Sequence, residues 1–279
     1  MFTLKSGTKT LRLDRPKVMG ILNVTPDSFS DGGQYSQFDR ARKHADEMIA
    51  AGVDFIDIGG ESTRPGAAEV SEQEELNRVL PLVEYIANNS DVWISVDTSK
   101  AAVMRESVAR GAHLINDVRS LTEPGALAVA AECQVPVCIM HMQGQPQTMQ
   151  QAPKYANVLD EVLAFCKSRT DECIAAGLAK EQILVDPGFG FGKTLAHNYQ
   201  LLAELNRFHE LAQPLLIGLS RKSMIGNLLQ RATNERLAGS LAGAMLAAQQ
   251  GAHIIRVHDV NETIDVLKVL AATQDAFNL

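Results

Sequence analysis

The segment VDFIDIGGESTRPGAAEVSEQEELNRVLPLVEYIANNSDVWISVD, residues 53–97, contains one complete strand–helix–strand unit. The runs VDFIDI and VWISV near its two ends are short and almost continuously apolar, which is typical of parallel strands covered by helices. Between them, Ser71–Asn89 has the periodicity of an amphipathic helix, and Ser71 with Glu74 matches a capping box. Because parallel strands need a crossover connection, the segment predicts a β–α–β unit.

The same pattern recurs along the chain. Apolar runs begin near Val18, Val53, Val92, His113, Pro136, Ile183, Pro214 and His253. Further amphipathic helices are predicted at Asp39–Ala51, Val158–Ala176 and Glu235–Gln250. Several helices should stop at a glycine, namely Gly52, Gly111, Gly177 and Gly251. Units of this kind can close a (β/α)8 TIM barrel of the α/β class. An open doubly wound sheet is the competing architecture, but no G-x-G-x-x-G sequence follows the first strand.

The chain is expected to form a single domain. Apolar and polar residues alternate around Ser6-Gly7-Thr8, which predicts a short β-hairpin. No low-complexity linker divides the rest of the chain. The predicted organisation is therefore one domain over residues 1–279, with the hairpin in residues 1–16 and the barrel in residues 17–279.

Composition and charge exclude several classes of protein. The 279 residues are 46% hydrophobic and 21% charged, with a net charge of -7. An acidic chain is a poor candidate for binding nucleic acid. The N-terminus lacks the apolar core of a signal peptide, and no apolar stretch of about 18 residues is present. We expect a cytoplasmic protein without nucleic-acid or membrane partners, whose four cysteines (Cys133, Cys138, Cys166 and Cys173) are free thiols.

Polar groups follow all eight predicted strands. In strand order they are Asn23, GGESTRPG (59–66), Asp97, Asn116-Asp117, Met140-His141, DPGFGFGK (186–193), Ser220-Arg221-Lys222 and Arg256-Val257-His258-Asp259. A single Asp or Asn after a strand is usually a helix cap or a turn residue. Polar groups at every strand end instead indicate an active site, because barrel enzymes place theirs at the carboxyl ends of the strands.

Two sets of these residues indicate specific ligands. Lys222, Arg256 and His258 follow strands 7 and 8, where barrels commonly bind phosphate, and they predict an anion site. Solvated surface charge is the alternative. Asp97, Asn116 and Asp186 offer acceptors and an amide suited to a flat heterocycle with several N–H donors. A purely structural hydrogen-bond network is the alternative there.

The loops contain two further signals. Long loops after strands 1 and 2, with Phe29, Asp31, Gly32, Gly33 and the segment 63–65, are typical of mobile lids, although ordinary surface loops are the alternative. The sequence GFGFGKT (188–194) is similar to an ATP-binding phosphate loop. However, only three residues separate Gly188 from Gly192, where a true loop has four, so we do not expect ATP to bind there.

Together the motifs resemble the dihydropteroate synthase family. The matching segments are NVTPDSFSDGG (23–33), GGESTRPGA (59–67), SVDTSK (95–100), IND (115–117), MHMQG (140–144), DPGFGFGK (186–193), SRKSMIG (220–226) and RVHDV (256–260). They occur in family order over nearly the whole chain. The resemblance implies a homodimeric transferase that needs Mg²⁺. Such an enzyme condenses 6-hydroxymethyl-7,8-dihydropterin pyrophosphate with 4-aminobenzoate, and its site should admit sulfonamides.

The resemblance also implies residue roles. Asn23 is expected to be the protein ligand of magnesium and to hold the pyrophosphate with Arg256 and His258. The expected pterin pocket contains Asp97, Asn116, Asp186 and Lys222. The expected aminobenzoate side contains Thr63, Arg64, Pro65, Phe191 and Ser220, and Met140 is also expected to bind substrate. The residues expected to act in catalysis are Asp97, Lys222, Arg256 and His258.

Three other functions compete with this interpretation. A methyltetrahydrofolate-dependent methyltransferase would share the pterin-binding residues, but it would not need the anion site. A Schiff-base aldolase would use Lys222 as its nucleophile. A non-catalytic pterin-binding protein would not need intact metal and anion sites.

Overall fold

The computed structural model describes residues 1–24, 34–62, 69–144, 149 and 153–276. The strands are β1 (Phe2–Ser6), β2 (Lys9–Leu13), β3 (Lys17–Asn23), β4 (Phe55–Gly59), β5 (Trp93–Asp97), β6 (Leu114–Asp117), β7 (Val137–Met140), β8 (Ile183–Asp186), β9 (Leu216–Gly218) and β10 (Ile254–Val257). The helices are α1 (Gln34–Ala51), α2 (Glu72–Asn89), α3 (Ala101–Ala109), α4 (Ala126–Cys133), α5 (Val158–Ala175), α6 (Leu195–Ala203), α7 (Ser223–Leu229), α8 (Leu237–Gln249) and α9 (Val260–Gln274). Short 3-10 helices cover Lys180–Gln182, Leu205–Leu211 and Thr233–Glu235.

Strands β3 to β10 form a parallel barrel. Their order in the sheet is β8-β7-β6-β5-β4-β3-β10-β9. A parallel bridge between Val185 and Leu215 joins β8 to the residue before β9, so the sheet closes on itself. The predicted eight-stranded barrel is therefore confirmed, and the open doubly wound sheet is excluded.

The N-terminal hairpin fills the amino end of the barrel. Strands β1 and β2 pair in antiparallel fashion from Phe2–Leu13 to Ser6–Lys9, as the alternating pattern predicted. Leu4 and Leu13 pack into one apolar cluster with a residue from every barrel strand. The barrel residues of this cluster are Met19, Phe55, Trp93, Leu114, Cys138, Leu184, Leu216 and Ile254. We call these ten residues the plug layer.

The plug layer determines which side chains face the barrel interior. Because successive side chains of a strand point to opposite faces, residues two and four positions after the plug layer also face inward. Two positions on lie Ile21, Asp57, Ser95, Asn116, Met140, Asp186, Gly218 and Arg256. Four positions on lie Asn23, Gly59, Asp97, Ser220 and His258. The interior thus changes from apolar to polar within one residue pair on five of the eight strands, the exceptions being Ile21, Met140 and Gly218.

The outward-facing strand residues and the helices form a second, larger apolar core. Ile56, Ile94 and Val185 belong to it, and they alternate with the inward-facing polar residues. Burial on both faces explains why the strand sequences look continuously apolar instead of alternating. In the described residues, no helix is long and apolar enough to cross a membrane.

The helix boundaries differ from the prediction in detail. Helix α1 begins at Gln34 instead of Asp39, and α8 begins at Leu237 because a 3-10 turn contains Glu235. Helix α5 ends at Ala175, one residue earlier than predicted. Ser71 caps α2 by accepting a hydrogen bond from the Glu74 N–H at 3.2 Å, while the Glu74 carboxylate pairs with Arg78.

Two smaller predictions agree with the structure. The four helix-stop glycines all have positive φ, between 87° and 108°. The four cysteines are free, and Cys138, Cys166 and Cys173 are buried.

Candidate active site

Arg256 of β10 lies between two carboxylates in the barrel interior. Its Nε donates to Oδ2 of Asp57 at 2.6 Å, and its Nη2 donates to Oδ2 of Asp97 at 2.8 Å. Burying a guanidinium is costly unless opposite charges and hydrogen bonds compensate it, and here two carboxylates do so. The neighbouring carboxylates raise the pKa of Arg256 against the effect of burial, so it stays cationic.

Asp57 is a site residue that the sequence analysis missed. It is fully buried on β4 and accepts hydrogen bonds from Ser95 Oγ at 2.5 Å and Asn116 Nδ2 at 3.2 Å. The sequence could have indicated Asp57, because it is an ionisable residue inside the apolar run VDFIDI, two positions after the inward-facing Phe55. Asp57 therefore links β4 to β5, β6 and β10 beside the predicted pterin pocket.

Asp97 lies at the carboxyl end of β5, one residue pair above this network. Burial raises its pKa, and the Arg256 guanidinium partly offsets that rise. Asp57, Asp117 and Glu75 add repulsion that also raises the pKa of Asp97. An acid held in this way responds strongly to a nearby cation, because any added positive charge stabilises its ionised form.

Lys222, four residues after β9, and Asp186 of β8 lie close enough for their charges to interact. Lys222 Nζ donates to the Phe189 carbonyl at 2.6 Å and lies 4.7 Å from the centre of the Phe191 ring. Burial lowers the pKa of Lys222 to about 8, while the Asp186 carboxylate opposes that change. Asp186 Oδ1 accepts from the Gly188 N–H at 2.7 Å, and burial raises the pKa of Asp186.

His258 and Ser220 contact each other between β10 and β9. The Ser220 hydroxyl lies 3.0 Å from His258 Nδ1 and accepts from the His258 N–H at 3.1 Å. Between Ser220 and Lys222, the Arg221 backbone adopts a φ of 57° and its guanidinium pairs with Asp259. The predicted basic cluster is thus assembled, but Arg256 within it is already balanced by two carboxylates.

Asn23 ends β3 next to Gly59 of β4 and, across it, Asp97 of β5. A Cβ placed on Gly59 would lie 3.4 Å from Asn23 Oδ1, 3.7 Å from Asp97 Cβ and 4.0 Å from Asp97 Oδ2. The Asn23 amide oxygen and an Asp97 carboxylate oxygen therefore lie on either side of Gly59, where no side chain fills the space between them. Such donors suit Mg²⁺, which takes few protein ligands and keeps water and phosphate oxygens. Among the described residues, no group of three or more His, Cys, Asp or Glu could hold a metal by itself.

The remaining predicted residues divide into two groups. Met140 is buried, and its N–H and C=O both bond to Ser120 Oγ, at 2.8 and 2.6 Å. Phe191 is half-buried against Lys222. Thr63, Arg64 and Pro65 lie outside the described residues, as do Phe29, Asp31, Gly32 and Gly33.

Comparisons with known proteins agree with this geometry. Residues 19–258 match the model of the family described as pterin binding enzyme. The chain is 62% identical to dihydropteroate synthase of Escherichia coli (strain K12), over 96% of this chain and 95% of the relative.

Two solved structures extend the match to three dimensions. The Yersinia pestis dihydropteroate synthase in a sulfonamide drug complex has a TM-score of 0.94 and 59% identity, covering 98% of this chain and 100% of the other. The Xanthomonas albilineans dihydropteroate synthase with 4-aminobenzoic acid has a TM-score of 0.92 and 50% identity, covering 98% of each chain. Sequence, fold and site therefore agree, and the chain belongs to the dihydropteroate synthase family of pterin binding enzymes.

Proposed function

We propose that this chain condenses 6-hydroxymethyl-7,8-dihydropterin pyrophosphate with 4-aminobenzoate, giving 7,8-dihydropteroate and pyrophosphate. The observation that carries the proposal is the polar layer around Arg256, in which carboxylates, an amide and a buried lysine converge above the plug layer. The identity to named synthases over almost the whole chain favours this reaction over a methyltransferase or an aldolase.

The pterin binds among Asp97, Asn116, Asp186 and Lys222. The carboxylates and the amide oxygen accept hydrogen bonds from the pterin N–H groups, and the Lys222 ammonium donates to an acceptor of the ring. Lys222 is prepared for this role because the Phe189 carbonyl and the Phe191 ring already stabilise its cation.

The pyrophosphate binds at the open end of the barrel. Arg256 and His258 donate to its oxygens, and Ser220 orients the His258 ring through Nδ1. Asn23 would hold Mg²⁺ through Oδ1, which lies on the other side of Gly59 from the Asp97 carboxylate. When bound, Mg²⁺ supplies positive charge that neutralises phosphate oxygens.

The reaction needs no nucleophile from the protein. The bond between the pterin methylene carbon and the pyrophosphate oxygen breaks, and the leaving group takes the electron pair. Asp97 in its ionised form stabilises the cationic character that this leaves on the methylene and the ring. The aminobenzoate nitrogen then forms the new C–N bond and gives up one proton.

The aminobenzoate binds on the outer side of the pterin. Phe191 and Ser220 lie on that side, and Thr63, Arg64 and Pro65 complete it in this proposal. Met140 contributes to the substrate pocket from β7. Sulfonamides would compete with the aminobenzoate here, in keeping with the drug complex of the Yersinia pestis protein.

A homodimer, a single domain and a cytoplasmic location belong to the same proposal. Helices α7 and α8 expose apolar side chains that a partner copy would cover. These side chains are Leu228, Leu229, Leu237, Met245 and Leu246.

Residues 1–279 act as one domain, because the hairpin of residues 1–16 packs into the barrel of residues 17–279. Free thiols are typical of a reducing compartment, which supports the cytoplasm.

The test is a reconstituted assay. Purified protein is mixed with dihydropterin pyrophosphate, 4-aminobenzoate and Mg²⁺, while pyrophosphate and dihydropteroate are followed together. The proposal predicts equal amounts of both products, and loss of both on adding EDTA or omitting aminobenzoate. Pterin binding without either product would instead favour the non-catalytic pterin-binding protein.

A further inference from the structure

Lys193 is a buried lysine that the reaction scheme does not use. Its side chain is 3% exposed, so it does not belong to the open surface of the site. Its Nζ lies 2.9 Å from His141 Nδ1 and donates to the carbonyls of Gly188 at 2.8 Å, Phe191 at 3.0 Å and His141 at 3.3 Å. Four acceptors surround the three protons of one ammonium group.

These contacts join two loops at the carboxyl end of the barrel. His141 directly follows β7, whereas Gly188 and Phe191 belong to the loop after β8. Burial lowers the pKa of Lys193 to about 7, while the Asp186 carboxylate opposes that change. The carbonyls around Nζ satisfy its N–H groups, which would otherwise be buried without partners. Burial lowers the pKa of His141 to about 3, so the ring stays neutral and Nδ1 can accept. Lys193 is therefore a hydrogen-bonded pin between the ends of β7 and β8.

The glycines of the GFGFGK motif fit the same role. Gly188 has a φ of 71°, and a Cβ there would lie 1.9 Å from the His141 carbonyl oxygen. A Cβ on Gly192 would lie 2.5 Å from the Gln143 carbonyl oxygen. Close backbone approach thus explains the glycine-rich sequence that is similar to a phosphate loop. The lysine of the motif binds carbonyls of its own chain.

The pinned residues lie on both sides of the groups that hold Lys222. Lys193 fixes the carbonyls of Gly188 and Phe191, while Lys222 donates to the carbonyl of Phe189 and lies over the Phe191 ring. Any shift of residues 188–191 would therefore move both supports of the Lys222 cation. The β7 side of the pin has an anchor outside the loop, because the His141 N–H donates to the Asp186 carbonyl at the end of β8 at 3.0 Å.

We propose that Lys193 is a positioning residue for pterin binding, which acts by holding the Phe189 carbonyl and the Phe191 ring against Lys222. This inference rests on the proposed function, since it takes Lys222 as a pterin ligand. Lys193 thereby strengthens the binding of the first substrate without contacting it.

A double-mutant cycle tests the inference. The Kd of 6-hydroxymethyl-7,8-dihydropterin pyrophosphate is measured by calorimetry, without aminobenzoate, for the wild type, Lys193→Met, Lys222→Met and the double variant. We expect Lys193→Met to weaken binding by about tenfold and Lys222→Met by about a hundredfold. The double variant should bind no more weakly than Lys222→Met, because Lys193 acts only through Lys222.

The outcomes separate this inference from the proposed function. If the two effects multiply in the double variant, Lys193 acts independently of Lys222 and the inference is overturned alone. If Lys222→Met binds pterin as well as the wild type, the assigned role of Lys222 and this inference both fall. Should Lys193→Met not fold, Lys193→Gln keeps two N–H donors and enters the same cycle.

Lys9→Met is the matched control. Lys9 Nζ donates to the Val92 carbonyl at 3.0 Å, at the opposite end of the barrel. Its loss should lower the Tm, leave the pterin Kd within about twofold, and act independently of Lys222. A Lys9→Met effect on pterin affinity as large as that of Lys193→Met would identify general destabilisation as the cause and overturn the inference.

Discussion

Arg256 is shared by two carboxylates that are not equivalent. Asp57 is fully buried and also accepts from Ser95 and Asn116, whereas Asp97 lies nearer the open end of the barrel. The deeper carboxylate can therefore keep the guanidinium in place when a ligand draws Asp97 away. This arrangement gives Asp57 a structural role and leaves Asp97 available for the reaction.

Replacing Asp57 tests that division. Asp57→Asn removes one buried charge next to Arg256 and should lower the free energy of unfolding by about 2–3 kcal/mol. It should also lower kcat/KM, because Arg256 loses its deeper anchor. Urea unfolding and steady-state kinetics measure the two effects. Asp54→Asn, immediately before the amino end of the same strand, is the control and should leave kcat/KM unchanged.

Replacing Asp97 tests the proposed chemistry. Asp97→Asn keeps the size of the side chain but removes the anion that stabilises the cationic methylene. We expect the rate of pyrophosphate release to fall by about a hundredfold, while the pterin Kd changes by less than about threefold. Single-turnover kinetics and calorimetry separate the two. A variant that loses affinity but keeps its rate would contradict the proposed role.

The pH dependence of kcat/KM should reflect Lys222 and Asp97. Burial lowers the pKa of Lys222 to about 8, so its cation is present below that pH and is lost above it. Burial raises the pKa of Asp97, so its anion is lost earlier than usual as the pH falls. Activity should therefore decline on both sides of neutral pH. In Lys222→Arg the alkaline decline should disappear, because arginine stays charged; an unchanged alkaline limb would assign it to another group.

At the scale of elements, the hairpin β1–β2 contributes stability at the end opposite the site. Leu4→Ala removes a fully buried side chain from the plug layer and should cost about 3 kcal/mol of unfolding free energy. Below the lowered Tm, kcat should stay near the wild-type value. Thermal unfolding and activity are compared with Thr3→Ala, an exposed neighbour that should change neither. A large loss of kcat in folded Leu4→Ala would show that the plug also shapes the site.

The strands and their inward-facing residues were predictable from the sequence, and the helix starts were less so. Each strand run is apolar and ends at a polar group, which placed Asp97, Asn116, Asp186 and Arg256 at one end of a barrel. The prediction began α1 five residues late, at Asp39, although Phe38 lies three residues before Ala41 and packs against the larger apolar core.

The contacts within the site were not predictable in the same way. They depend on which inward-facing residues meet across the barrel, and Asp57 reaches Arg256 over 199 residues of sequence. Asp57 could have been suspected from its position in β4. The motif GFGFGKT is misleading, because its local pattern is similar to a phosphate-binding loop. Its glycines and Lys193 are instead explained by contacts with backbone carbonyls, which no local pattern reveals.

For the whole molecule, the apolar face of α7 and α8 predicts the assembly state. Leu229→Glu or Leu246→Glu places a charge where the proposed partner copy would pack, and should convert the dimer to a monomer. Sedimentation velocity measures the change. Ile174→Glu on α5 is similarly exposed and serves as the control, which should remain dimeric. A wild-type protein that sediments as a monomer would contradict the proposed dimer.

The plug layer also makes the barrel a tube that is blind at one end. Leu4 and Leu13 close the amino end together with one side chain from each barrel strand, so molecules pass only through the carboxyl end. In such a tube, the depth of each binding position determines the order in which the substrates bind. If the pterin occupies the deeper position and the aminobenzoate the shallower one, the pterin must enter first. An aminobenzoate molecule that bound first would block the entry of the pterin. The single opening would therefore impose an ordered kinetic scheme.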